Sequence, residues 1–292
     1  MEKQLKISFL FPSTGVYTEN RNWLWWVYDA LNKIHEVLLN ECTEDCDVII
    51  AMSISQTTRL DSFHSLYPKI PIITYNWDWL SFVDKTKQLW PRFTELMKES
   101  IDIWTPSKFM VKLMREKLDL EHHVIEACSI PDECVGSPED KGYVVQASRR
   151  DRRYKRFEFF ERGCKDLKIP FISCHPDKYS REQYIKILRD CRLLVVATCE
   201  DANAALSSIE AAYFKKSLLL SDIEPHKECW GDYALYFKTD DFEDFKDKLK
   251  KLYAGEITLD TEGEYDLAMS RYTPKAMALA MDKRLKELWQ KL

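Results

Sequence analysis

The chain has 292 residues, enough for two ordinary domains with separate cores. A hydrophobic content of 45% beside 31% charged residues excludes a disordered chain, and a formal net charge of -5 excludes a global pull toward nucleic acid or anionic lipid, so any such binding has to be local. No apolar run approaches the roughly 20 residues of a membrane-spanning helix, and the start MEKQLKISFLF reads as a strand entry rather than a leader. Nine cysteines, scattered without a C-x-x-C pair, read as free thiols of a reducing cytoplasm.

In chain order, Lys6 to Phe11 reads as the first strand of a parallel sheet, broken by Pro12 to Gly15. A helix is expected over Asn20 to Leu39, with Trp23, Trp26 and Val27 on its core face and the rest of the tryptophan-rich cluster free to form a platform for a sugar ring or base. Asp47 to Met52 and Ile70 to Tyr75 are the next two strands. The string Asp45-Cys46-Asp47 stands at a strand entry, which favours loop acids over a metal-binding pair. Ile101 to Leu120 reads as a short strand, Thr105-Pro106-Ser107 and an amphipathic helix capped by Ser107. Cys128 to Gly142 is rich in Pro, Gly, Ser and acids, the composition of an exposed connection, so a domain boundary falls here. Tyr143 to Ala147 opens the second half as a strand and is followed at once by SRRDRRYKR. Ile169 to Cys174 and Ser180 to Arg192 form the next strand and helix. Leu193 to Ala197, an acidic turn, a helix bearing Glu210 and Leu218 to Leu220 then read as a βαβ unit, whose carboxyl-end loops are where open α/β sheets bind ligands. His226 and Glu228 fall in the loop beyond, and helices follow over Asp240 to Tyr253 and Pro274 to Leu292.

The stretch from Leu206 to Phe237 carries, in order, Leu206, Glu210-Ala211, Ser221-Asp222, Pro225-His226, Glu228, Gly231-Asp232 and Ala234 to Phe237. It resembles the donor half of retaining glycosyltransferases of family 4, which show E-G-x-x-L-x-x-x-E-A, a strand ending in S-D, and P-x-H-R-E-x-x-G-D-A-A-L-Y-F. Thr105 and Ser107 match that family's V-x-T-x-S pattern. The resemblance implies an α/β GT-B fold. It would comprise an acceptor-side Rossmann-like domain over 1–135, a nucleotide-sugar-binding one over 136–273 with the donor cleft between them, and a terminal helix over 274–292 crossing back.

The same resemblance implies a transferase moving a sugar from a nucleoside-diphosphate sugar, a UDP-sugar foremost, to an acceptor hydroxyl with retention and without an obligatory metal. Arg150 and Lys155, with Arg149 as the alternative, would hold the donor diphosphate. Fixed cations suit that task because the departing nucleotide concentrates negative charge on one phosphate. Asn203, Ala204, Ala205 and Leu206 would offer backbone N–H groups, and Glu210 would accept both ribose hydroxyls, since a carboxylate has two oxygens for a vicinal diol. An unpaired glutamate buried in IEAAYF would be costly, which favours that role. Gly15 echoes the family's glycine loop, and by the same resemblance Asp78, in Asn76-Trp77-Asp78, would stand beside the acceptor, where the family often has a His-Asp pair. The family's first acid is displaced: position 202 is Ala, and Glu200 and Asp201 stand before it.

Three acceptors or roles stay open at this level. The acceptor is a glycan or lipid, or, as in compact bacteriophage enzymes, a hydroxymethylated base of duplex DNA, for which the surplus of cations in SRRDRRYKR would suit a polyanion. A sugar-nucleotide epimerase or hydrolase on the same fold is the second reading, and a non-catalytic nucleotide- or nucleic-acid-binding module the third.

Overall fold

The computed structural model describes residues 4–11, 23–77, 88–129, 138–148, 153–175, 178–201 and 205–291. The chain divides into two compact units, Met1–Cys128 with Pro274–Leu292, and Ser129–Thr273.

In the first unit six parallel strands lie in the order β2-β1-β3-β4-β5-β6: β1 (Lys6–Leu10), β2 (Glu36–Leu39), β3 (Val48–Ala51), β4 (Ile72–Tyr75), β5 (Asp102–Thr105) and β6 (His123–Val124). The strands β3, β4 and β5 are buried along their whole length, which is why β3 and β4 are near-continuous apolar runs rather than alternating ones. Helices α1 (Trp23–Asn32), α2 (Thr57–Leu66), α3 (Trp90–Glu99) and α4 (Lys108–Leu118) connect them. Ser107 caps α4 by accepting from the Met110 amide at 3.1 Å, the structural role its sequence position suggests.

One sequence expectation is corrected here. The helix expected to run to Leu39 ends at Asn32, whose side-chain oxygen accepts from the Val37 amide at 3.1 Å, and EVLL becomes the edge strand β2 paired with β1. The core face of α1 is Leu24, Val27 and Leu31, all fully buried, whereas Trp25 and Trp26 are only half-buried. Asp45 and Asp47 are indeed loop acids: Asp45 forks onto the Lys6 ammonium at 2.8 and 3.0 Å, and Asp47 accepts the Lys6 amide.

The second unit holds a five-stranded parallel sheet in the order β11-β10-β9-β7-β8: β7 (Val144–Ala147), β8 (Phe171–Cys174), β9 (Leu193–Val196), β10 (Ser217–Ser221) and β11 (Leu235–Phe237). Helices α5 (Phe157–Asp166), α6 (Arg181–Asp190), α7 (Leu206–Tyr213), α8 (Glu224–Trp230), α9 (Phe242–Ala254) and α10 (Thr261–Arg271) cover its faces in two clusters. Gly163 of α5 is required where Phe245 packs, since a Cβ there would meet the ring at 2.5 Å. The last helix, α11 (Pro274–Trp289), packs within the first unit against α1. Arg284 pins it there by donating to both carboxylate oxygens of the buried Asp102 at 2.6 and 3.2 Å, and that carboxylate also accepts from the Trp104 indole at 2.7 Å. Among the described residues no helix is long and apolar enough to cross a membrane.

Candidate active site

In the second sheet β7 lies between β8, which follows it in the chain, and β9, which the chain reaches only after reversing direction. The carboxyl ends of β7 and β9 therefore part at a topological switch point, where a crevice opens in folds of this kind. The loops leaving these two strands are tied together. Beyond β7 a single turn, Arg153–Lys155, is held from below by the Gln146 amide, which donates to the Lys155 carbonyl. The Tyr154 carbonyl accepts from the Cys199 amide at 2.9 Å, beyond β9. Across the gap the Lys155 ammonium donates to the Asp201 carboxylate at 2.6 Å, with both side chains 14% exposed. The sequence supplied both residues, and the fold joins them as an ion pair.

The other cations of SRRDRRYKR divide. Arg156 adopts a left-handed conformation (φ 53°) at the start of α5, donates to the Thr239 carbonyl, lies 3.2 Å from Asp240 and covers the Phe159 ring. It is spent on holding two loops together. Arg153 is exposed. Arg149 and Arg150, like Gly15, Asp78, Asn203 and Ala204, lie outside the described residues.

In the loop after β9 the Thr198 hydroxyl donates to the Glu200 carbonyl at 2.6 Å, and the Glu200 side chain is exposed. Ala205 then enters α7 with φ 57°, a conformation that costs an L-residue about 1–2 kcal/mol. The turn is braced from behind: the Ala205 carbonyl accepts from the Ser208 hydroxyl at 2.8 Å, and that hydroxyl accepts from the Trp230 indole at 2.9 Å. The backbone at Ala205 and Leu206 is thus preset at the mouth of the crevice.

Glu210 follows one turn later, 3% exposed. The cost attached to an unpaired glutamate does not arise, because both oxygens are engaged: Arg181 donates to Oε1 at 2.7 Å and the Tyr184 hydroxyl donates to Oε2. Each carboxylate oxygen retains a second lone pair for a ligand. Arg181 and Tyr184 stand at the start of α6, behind the Ser180–Gln183 capping box. That box is legible in the sequence, but nothing in it signals a contact with α7.

One further correction concerns the region after β10. His226 and Glu228 sit in α8, not in a loop, and His226 is fully buried. Its Nδ1 lies 3.0 Å from the Ser221 carbonyl, and burial pushes its pKa down to about 4, with Asp201 opposing and Lys155 adding to that shift. The imidazole is therefore neutral and donates through Nδ1. Asp222 accepts from the amide and hydroxyl of Thr239 at 2.9 and 2.6 Å, so the S-D end of β10 locks the turn after β11. In the first unit Asn76 is buried, with its carbonyl accepting from Thr105 at 2.8 Å.

No family model matches the chain, and no curated protein matches it. Solved structures do. A sucrose-phosphate synthase from Thermosynechococcus elongatus superposes with a TM-score of 0.73 at 8% identity, covering 99% of this chain and 100% of that one. HepE from Anabaena, solved with UDP and glucose, gives 0.72 at 11% identity over 97% of this chain and 100% of its own. A glycosyltransferase from Rickettsia africae gives 0.61 at 12% identity, with both chains fully covered. At such identities the likeness is one of fold: the chain has the GT-B architecture of two Rossmann-like domains.

Proposed function

We propose that the protein is a glycosyltransferase that moves a sugar from a nucleoside-diphosphate sugar, a UDP-sugar foremost, to an acceptor hydroxyl with retention at the anomeric carbon. The observation that carries the reading is the set of groups at the β7/β9 switch point: a cation after β7, a preset helix entrance after β9 and a buried, oriented carboxylate in the helix that follows. The GT-B likeness supports it, as does HepE, which has been solved with UDP-glucose.

In this reading the donor diphosphate takes Lys155 from Asp201 and adds Arg150. The amides at Ala205 and Leu206 receive its oxygens, and Glu210 accepts the two ribose hydroxyls on its free lone pairs. The acceptor hydroxyl attacks the anomeric carbon on the face the phosphate is leaving. The C–O bond to the phosphate breaks as the new one forms, and the departing phosphate oxygen takes the hydroxyl proton. No protein nucleophile is needed. The cations act by stabilising charge that grows on the leaving phosphate, an interaction stronger in the transition state than in the ground state.

For the acceptor we favour a glycan hydroxyl over a base in duplex DNA. Of the described cations in the basic loop, Lys155 and Arg156 are already paired, which leaves less for a polyanion than the composition suggests. The test is release of nucleoside diphosphate from a panel of nucleotide sugars, with and without simple glycosides as acceptors. Acceptor-dependent release, reduced by about a hundredfold or more in Lys155→Ala, is the expected result. Release that needs no acceptor would instead favour the hydrolase reading, and conversion to an epimeric nucleotide sugar without net release the epimerase one.

A further inference from the structure

A second polar construction sits at the carboxyl end of the other sheet. There β1 lies between β2 and β3, again a switch point. Arg59, in the first turn of α2, reaches across the end of β1. Its Nη1 donates to the Asn40 side-chain oxygen at 2.6 Å and to the Gln56 side-chain oxygen at 2.9 Å. Asn40, just beyond β2, is held in a left-handed conformation (φ 56°), and the same side-chain oxygen accepts the Phe11 amide at 3.1 Å at the end of β1. Gln56 is buried and is tied to Ser55 and through it to Ser53. Three loops thus converge to fix one guanidinium.

What they fix is a cation that, among the described residues, has no counter-charge. Other half-buried arginines, Arg92, Arg156, Arg181, Arg189 and Arg284, each meet a carboxylate, whereas among the described residues Arg59 meets only amide oxygens. It also stands at the positive end of a helix, where a cation is disfavoured and an anion welcome. Its anchoring uses Nη1 alone. The unspent edge, Nε with Nη2, is the pair of parallel N–H groups that matches two oxygens of a phosphate or carboxylate.

We propose that Arg59 is the core of an oxyanion site in the first unit, and that the glycosyl acceptor carries a phosphate or carboxylate which this edge binds side-on. Naming the ligand as the acceptor rests on the transferase reading; the oxyanion site itself does not. Asn40 and Gln56 are its positioning residues, holding the fork so that little side-chain freedom is lost on binding. Such a group would orient the acceptor without touching the reacting atoms.

The test is a titration of protein saturated with UDP, so that the donor site is filled, with inorganic phosphate and separately with acetate at constant ionic strength. The readout is the arginine Nε–H signal in nitrogen-proton spectra, assigned by its loss in Arg59→Gln. We expect a saturable shift of that signal, a roughly tenfold weaker response in Asn40→Ala, and no phosphate-induced thermal stabilisation in Arg59→Gln. Which anion shifts it more strongly distinguishes a phosphorylated from a carboxylated acceptor. An unmoved Arg59 signal with both anions, or stabilisation that persists in Arg59→Gln, would overturn the site. Failure of UDP to bind would instead remove the transferase reading and leave the oxyanion result standing on its own.

Discussion

Two acidic side chains are buried in neighbouring helices of the second unit, and they are treated in opposite ways. Glu210 of α7 has a cation on one oxygen and a phenol on the other. Glu264 of α10, fully buried, has no partner on either oxygen among the described residues, and burial pushes its pKa up to about 9. Glu264 is therefore a neutral acid sealed in a core, whereas Glu210 is a carboxylate held in a defined orientation. Burial alone does not mark an acid as functional. What separates the two is whether other residues have been recruited to pair with the group and aim it.

The contrast can be broken most severely at Arg181. Arg181→Met leaves Glu210 buried beside the phenol with its cation gone, and such losses cost about 3–5 kcal/mol. Arg181 is itself 20% exposed, so the lower end, about 3 kcal/mol in urea unfolding, is expected. Adding Glu210→Gln should restore most of it, and no recovery in the double variant would mean that the pair is not coupled.

Glu264 offers a test of opposite sign. Its folded pKa lies above the ordinary carboxyl value, so between that value and about 9 the unfolded chain releases the proton while the folded chain keeps it. Stability is then full in acid and falls as pH rises. Each pH unit in that window costs about 1.4 kcal/mol, or roughly 2.7 kcal/mol from pH 6 to 8. Glu264→Gln lacks this proton, so its stability relative to wild type should climb over the same range. A difference that does not change with pH would contradict the account.

Smaller effects sharpen the Glu210 side. Tyr184→Phe removes one charge-assisted hydrogen bond and should cost about 2 kcal/mol without altering the fold. Ser180→Ala removes the cap of the helix that presents both partners, with an expected loss of about 1 kcal/mol. If the two losses simply add, the cap acts on α6 alone; if they do not, it also positions the Glu210 clamp, which a double-mutant cycle measures.

The parallel strands were legible because strands buried on both faces are continuous apolar runs between turns, as in Leu193–Val196. EVLL was not, because four residues after a helical run carry no period of their own, and pairing with β1 decided their state. The helix at Thr261–Arg271 is not legible for a related reason: TEGEYDLAMSR shows little apolar periodicity, and its clear signal is the Asp260 cap. In the site, Lys155, Asp201 and Glu210 could be named from motif and chemistry. The partners of Glu210 could not: Arg181 and Tyr184 meet it only through the fold, and contacts between α6 and α7 leave no mark at any fixed spacing. Arg59 was hidden for the same reason, since its two amide anchors come from different loops.

The central claim, a nucleotide site built on Lys155 and Glu210, is tested most directly by calorimetric titration of UDP into wild type, Lys155→Ala and Glu210→Ala. The account predicts saturable binding to wild type and a loss of at least about tenfold in each variant, about 1.4 kcal/mol or more. Absence of UDP binding, or unchanged affinity in both variants, would contradict it.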